Sequence, residues 1–297
     1  MSTATAPDRT GLALAALGAV CFAGKAIIVK LAYRHDADAV TVIMLRMAMA
    51  LPFFVLLALW AGRGREPLAG RDWLAVLGLG FIGYYLSSFL DFLGLQYITA
   101  SLERLILYLS PTIVLILGRV LHGRRVGRGK LAALGLSYLG VLLVFGHELS
   151  LQGRDVLLGS ALVLASTFTY ALYLVYSAEV VSRIGAARLT GLATSFACVL
   201  CIVQFLVLRP VSLLAELPQA VLWLSLVNGT VSTFAPVLML MVALQRIGPG
   251  LTSQVGMIGP VSTVAMGVIL LGEPFTAWTA AGSVLVIVGV ALLSRTR

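Results

Sequence analysis

Ten apolar runs, each close to the length of a bilayer crossing, occupy almost the whole chain. They lie at 11–32, 39–61, 73–97, 101–121, 130–147, 156–182, 188–208, 219–245, 250–271 and 276–294. A membrane helix needs roughly 20 largely apolar residues, because that length covers the hydrocarbon core and pairs every backbone polar group internally. The sequence is 60% hydrophobic and only 11% charged, whereas soluble domains run at about 25% charged. The pattern predicts an all-α integral membrane protein with ten transmembrane helices. The connections are too short for a soluble domain, so function must lie within the bundle, with the lipid bilayer as an obligatory partner.

Where the basic residues fall decides what the net charge of +9 means. They fall between the apolar runs. With both termini in the cytoplasm, one side collects Arg63, Arg65, Arg71, Arg119, Arg124, Arg125, Arg128, Lys130, Arg183, Arg188 and Arg246, and the other only Arg34, Arg154 and Arg209. This is the asymmetry that orients membrane proteins, and it predicts a multi-pass protein of a bacterial-type inner (plasma) membrane. No basic patch of a nucleic-acid binder is implied. The first apolar run shows no clear cleavage site, so a removed leader is not expected. Cys21, Cys198 and Cys201 lie inside apolar runs, which indicates neither a disulfide framework nor a metal site.

The second constraint is an internal duplication. Residues 94–144 overlay 243–293 without a gap, at an offset of 149 positions: "LQYITASL" meets "LQRIGPGL", Pro111 meets Pro260, Gly118 meets Gly267, Gly123 meets Gly272 and Gly140 meets Gly289. Shared hydrophobicity would align Leu with Leu, but not the rarer residues in step. Five spans per half is an odd number, so the second half enters the membrane from the opposite side. The expected architecture is two inverted five-helix repeats, 11–147 and 156–294. Such repeats recur in secondary transporters, which expose a site at the repeat interface to each side in turn.

The segments "LQYITASLERLILYLSP" and "LQRIGPGLTSQVGMIGPVSTVAMGVILLGEPFTAWTAAGSVLVIVGV", with Gly272-Glu273-Pro274 between the last two spans, resemble the EamA-type branch of the drug/metabolite transporter superfamily. The resemblance covers nearly the whole chain and implies a carrier of small organic metabolites such as amino acids, nucleosides or drugs, commonly moved outward. Two positions depart from the family pattern. "CFAGKAIIVK" in the first span lacks its usual Trp, and "HGRRVG" after the fourth lacks its acid. The resemblance therefore carries the fold further than the substrate.

Charged residues inside the spans are the candidate site. Lys25, Arg46, Asp91 and the adjacent Glu103–Arg104 pair come from four spans and fall at one level toward the outer side. A charge at a helix centre costs about 2.5–3.5 kcal/mol on insertion scales, so they should face one another or water. Two readings follow. The charges form structural pairs, Asp91 with Arg104 and Glu103 with Arg46 or Lys25, or their cationic excess receives an anionic or carboxylate group. Asp91 is also the candidate proton carrier. Lys30, near the outer end of its span, reads as a snorkelling residue.

The second half offers uncharged polar groups beside mid-span prolines. Pro236, Pro260 and, in the first half, Pro111 free the carbonyls of Ser232, Gly256 and Leu107. Asn228 and Gln254, bulky amides that need several partners, are candidate substrate contacts; the nearby Ser and Thr residues, Ser253 among them, fit ordinary helix packing. Tyr84 and Ser88, at i, i+4 below Asp91, make a further candidate stripe. Glu179 and Arg183 read as a local i, i+4 pair.

"GLGFIG", Gly78 to Gly83, matches a dinucleotide fingerprint but lies inside a span with no preceding strand, so its glycines point to close helix packing. No cofactor, metal or enzymatic constellation is expected, and no phosphate loop for ATP is present. The leading expectation is a secondary carrier of a small molecule, with outward transport. A channel or a receptor-like binding module is the alternative. Oligomeric state is left open.

Overall fold

The computed structural model describes residues 8–122 and 128–295. Nine helices among the described residues are long and apolar enough to cross a membrane: α1 (Arg9–Tyr33), α2 (Ala39–Gly62), α3 (Gly70–Gly94), α4 (Ala100–Leu121), α5 (Ala132–Ser150), α6 (Asp155–Ile184), α7 (Ala186–Leu208), α8 (Gln219–Gly248) and α9 (Gln254–Leu271). The tenth, α10 (Ala277–Leu292), is the shorter apolar part of the helix Ala277–Arg295.

Local chemistry sets the ends of these helices. The Asp38 carboxylate accepts the Thr41 amide at 2.7 Å and the Thr99 hydroxyl accepts the Leu102 amide at 3.1 Å, each satisfying an amide that the first turn leaves free. Between α6 and α7 the chain reverses through Gly185 at φ +86°, a left-handed conformation that only glycine adopts freely.

Small residues decide how the helices pair. The α2 helix runs antiparallel to α7: Asp38 meets Arg209, Met47 Sδ lies 3.7 Å from Cys198 Sγ, and Gly191 lies against Ala58. The α5–α10 pair is likewise antiparallel, Gly140 against Gly282 and Gly289 against Ser137. Along α1, Gly11, Gly18 and Gly24 meet Ile247, Met239 and Ser232 of α8 in descending order. Along α3, Gly83, Ser87 and Gly94 meet Tyr173, Ser166 and Gly159 of α6. Exchanging the halves turns the α1–α8 pair into the α6–α3 pair and returns α2–α7 and α5–α10 onto themselves. The fold is therefore two inverted five-helix repeats.

The repeat also governs where helices are interrupted. A π-helical turn occupies Phe81–Leu86 in α3 and another Thr230–Phe234 in α8, the same offset of 149 positions apart. Each follows a glycine pressed on the neighbouring backbone: a methyl on Gly80 would sit 2.6 Å from the Ala193 carbonyl oxygen, and one on Gly229 2.7 Å from that of Arg46. The α4 helix breaks at Tyr108 just before Pro111, and the chain breaks again at Met257 just before Pro260. The freed carbonyls are recaptured differently. Ser110 Oγ donates to the Leu107 carbonyl at 2.6 Å, whereas the Gly256 carbonyl accepts the Tyr108 hydroxyl at 3.1 Å, so the two breaks touch.

Candidate functional site

Five ionisable side chains converge in the half of the first repeat away from its arginine-rich end, all nearly inaccessible: Lys25, Arg46, Asp91, Glu103 and Arg104. Lys25 holds the centre. Its Nζ lies 2.5 Å from Asp91 Oδ2 and 3.3 Å from Glu103 Oε1. Arg104 Nε approaches Glu103 Oε2 only to 4.0 Å and donates instead to Thr263 Oγ1 at 2.9 Å, while its Nη2 donates to the Phe22 and Ala23 carbonyls. Arg46 Nε donates to Thr233 Oγ1 at 2.8 Å, and its guanidinium lies 5.0 Å above the Phe92 ring. The Phe22 ring lies 5.8 Å from the Lys25 ammonium and 5.5 Å from the Arg104 guanidinium, and remains 38% exposed.

This corrects the expected pairing. Asp91 pairs with Lys25 rather than Arg104, whereas Glu103 takes Lys25, one of the two partners expected for it. Both arginines instead bond to threonines of the second half, which ties the repeats together across the site.

Not every polar atom here is satisfied. Arg46 Nη1, Asp91 Oδ1 and both amide atoms of Asn228 are buried without a hydrogen-bond partner among the described residues, and Glu103 is held at ion-pair distances with no hydrogen bond to either oxygen. Burying such a group unpaired costs about 1–3 kcal/mol, more when it is charged. Asn228 stands next to Gly229, whose backbone packs on Arg46. The backbone carbonyl of Asn228 accepts the Thr233 hydroxyl at 2.7 Å, one hydrogen bond away from Arg46 Nε.

Other candidate residues go elsewhere. Tyr84 Oη lies 3.0 Å from Tyr173 Oη within an aromatic cluster that also holds Tyr170, so its hydroxyl is used between α3 and α6. Ser88 is half-buried one turn before Asp91. Gln254 is not brought to the layer: it is exposed on the same stripe of α9 as Ile258, Val261 and Ile269. The side chain of Ser253 and the "GRRVG" connection, residues 123–127, lie outside the described residues. Glu179 pairs with Arg183 at 2.6 Å as expected, and also with Arg71 at 3.3 Å.

Two acids that sequence reasoning left unassigned close the end of the bundle opposite the arginine-rich one. Glu273 crosses from the second repeat to the start of α4, accepting the Ala100 amide at 2.7 Å, the Ser101 amide at 3.2 Å and the Ser101 hydroxyl at 2.7 Å. It thereby caps the turn that carries Glu103 and Arg104. Glu148, also buried, accepts the Thr99 hydroxyl. Lys30 Nζ donates to the Leu95 and Ile98 carbonyls at 3.1 and 2.9 Å, and Arg34 to the Leu271 carbonyl. At the N-terminal end of α2, burial acts to raise the Asp38 pKa, but the Thr41 amide and the Arg209 guanidinium outweigh it and hold the carboxyl below its ordinary range. The Gly272-Glu273-Pro274 motif was the signal for Glu273; what it caps was not.

A ten-helix inverted-repeat bundle enclosing a buried polar layer defines a membrane transporter. Comparison with known proteins agrees: the EamA-like transporter family model matches residues 9–146 and again 157–295. The chain belongs to the EamA-like transporter family. It is similar to the uncharacterized transporter YcbK of Bacillus subtilis (strain 168), with 29% identity over 272 residues, covering 86% of this chain and 84% of YcbK. Two uncharacterized transporters of Archaeoglobus fulgidus share 28% and 26% identity, covering 87% and 94% of this chain and 89% and 95% of their own lengths. A solved crystal structure superposes with a TM-score of 0.65 at 16% identity, covering 97% of this chain and 99% of the other, which shows the fold alone.

Proposed function

We propose that this transporter is a secondary carrier of a small organic solute in the plasma membrane. It works by alternating access, with both termini cytoplasmic and net movement outward. Segments 11–147 and 156–294 are the units that rock against each other. The solute site is the layer of Lys25, Arg46, Asp91, Arg104 and Asn228, and Asp91 carries the coupling proton.

The observation that carries this reading is the set of buried polar atoms left unmatched in that layer, on Arg46, Asp91 and Asn228. Unmatched atoms elsewhere among the described residues are chiefly single hydroxyls, such as those of Thr41, Thr194 and Ser225, whereas these belong to a guanidinium, a carboxylate and a carboxamide, each costly in a dry site. A solute with its own donors and acceptors completes them. Packing around α4 supports the direction of access. Its outer half meets α1, α5, α6, α9 and α10, whereas its inner half, Ser110–His122, packs substantially only on α6 among the described residues. The outer end is sealed by Glu273, Lys30 and Arg34, and the half-exposed Phe22 stands on the other side of the layer.

The test replaces Arg46 and Arg104 singly with Gln and measures solute flux in proteoliposomes beside the amount of inserted protein. The reading expects flux to vanish with insertion near normal. Loss of both together overturns it in favour of a structural layer. Counterflow of labelled solute separates a carrier from a channel or a binding module.

A further inference from the structure

A crevice of about 410 Å³ opens at the arginine-rich ends of α2, α3 and α7, remote from the charged layer. Arg63, Arg188, Trp73, Leu59, Leu68 and Leu192 line it. Its lining is of two kinds, two arginines and an aliphatic and aromatic remainder. Arg188 is fixed in place, its Nη1 and Nη2 both donating to the Glu66 carbonyl at 3.1 Å. Arg63 is exposed, and its side chain has no protein acceptor among the described residues. In this it differs from its neighbours. Arg65 donates to the Ile184 carbonyl, Arg71 pairs with Glu179 and Arg183 with Asp72. The nearest acids are therefore Asp72, already neutralised by Arg183, and Glu66, exposed on the connection itself. Trp73, 45% exposed, and Leu59, 63% exposed, face outward at the same end, and Trp marks the headgroup level of a bilayer.

We infer that this crevice binds an anionic glycerophospholipid of the arginine-rich leaflet. Its phosphate lies between Arg63 and Arg188, and an acyl chain lies along Leu59 and Leu192. A guanidinium pair matches a phosphate in charge and geometry, and the aliphatic wall matches the chain below it. A free phosphate ester would leave that wall uncovered. The site joins the two repeats, because α2 and α3 belong to the first and α7 to the second. The inference goes beyond the transport reading and does not depend on it.

The experiment uses delipidated full-length protein in a neutral detergent, with thermal unfolding and native mass spectrometry as readouts. The probes are phosphatidylglycerol, phosphatidylcholine and the deacylated headgroup glycerophosphoglycerol. Phosphatidylglycerol is expected to raise the unfolding temperature and stay bound, with the other two doing neither. Arg63→Gln removes a side chain without a protein partner, so it should keep the lipid-free stability of the wild type. It should retain phosphatidylglycerol roughly fivefold less well, the factor expected for one basic residue beside an anionic surface. Equal retention of phosphatidylcholine, unchanged retention in Arg63→Gln, or equal stabilisation by glycerophosphoglycerol would each overturn the inference, the last by showing a site for a free phosphodiester.

Discussion

Where the first half carries Glu103 and Arg104, the second carries Thr252 and Ser253 at the matching positions, and the counterpart of Asp91 is Leu240. The backbones differ less: the π turns of α3 and α8, the proline breaks and the pressed glycines recur at one offset in both halves, while a third π turn, Gly267–Leu271 in α9, has no counterpart in α4. Duplication thus preserved what a bundle needs to pack and to invert, while the buried charges are confined to one copy. The second copy answers them with Thr233 and Thr263, neutral groups that bond the two arginines, and with Asn228, whose backbone carbonyl accepts the Thr233 hydroxyl. In consequence the two copies contribute unequally to the polar layer, and under the proposed alternating access the two states need not be equal in energy. The proposed carrier needs states close enough for solute to shift their populations, and on that proposal the neutral half tunes a balance that the charged half would otherwise fix.

Removing charge from the first half should have the largest effect. Lys25→Gln leaves Asp91 and Glu103 without their shared cation and should cost about 3–5 kcal/mol of stability, seen as a collapse in detergent-extracted monodisperse protein. Adding Asp91→Asn should recover much of that loss while leaving transport absent. In the second half the sign should reverse. Asn228→Leu removes two unpartnered polar atoms, so stability should hold or rise by about 1–3 kcal/mol while flux is lost. Equal destabilisation by both variants would erase the distinction between the halves.

The two helix breaks sharpen the same comparison at smaller scale. Tyr108→Phe strips the Gly256 carbonyl of its donor, a change of about 1 kcal/mol, and should shift the balance between inward- and outward-facing populations in a cysteine-accessibility assay. Ser110→Ala acts within one helix and should leave that balance nearly unchanged. The smallest effect is expected at the Asp38–Arg209 tie of α2 to α7. Because the Asp38 pKa is lowered on folding, its contribution is present at neutral pH and is lost as pH falls below about 4. Asp38→Asn should remove roughly 0.2–1 kcal/mol at pH 7 and flatten that part of the acid unfolding curve.

The span count, the repeat and the proline breaks were legible because each is written locally: twenty apolar residues, or a Pro and a Gly in step with another Pro and Gly. That five charges share a level was legible too, from depth along each helix. Their pairing was not, since Asp91 could reach Lys25 or Arg104 from the same level and only the helix rotations choose between them. Gln254 misled for a related reason. The α9 helix is apolar on every side, so no polar face in its sequence says which side meets lipid. Glu148 and Glu273 stood at the ends of runs and read as connections, because the turn they close belongs to residues far away in sequence. The π turns had a visible correlate in Gly80 and Gly229, but a glycine signals close approach without saying how the helix winds around it.

The central claim is that one buried layer, charged from the first half and neutral from the second, is reached from each face in turn. Phe22 covers that layer, so a single cysteine at its position, with Cys21, Cys198 and Cys201 replaced by Ala, reports on it directly. Labelling by a membrane-impermeant maleimide in oriented proteoliposomes should proceed from the arginine-rich face under one proton gradient and from the opposite face when the gradient is reversed. Labelling from a single face under both gradients would contradict the account.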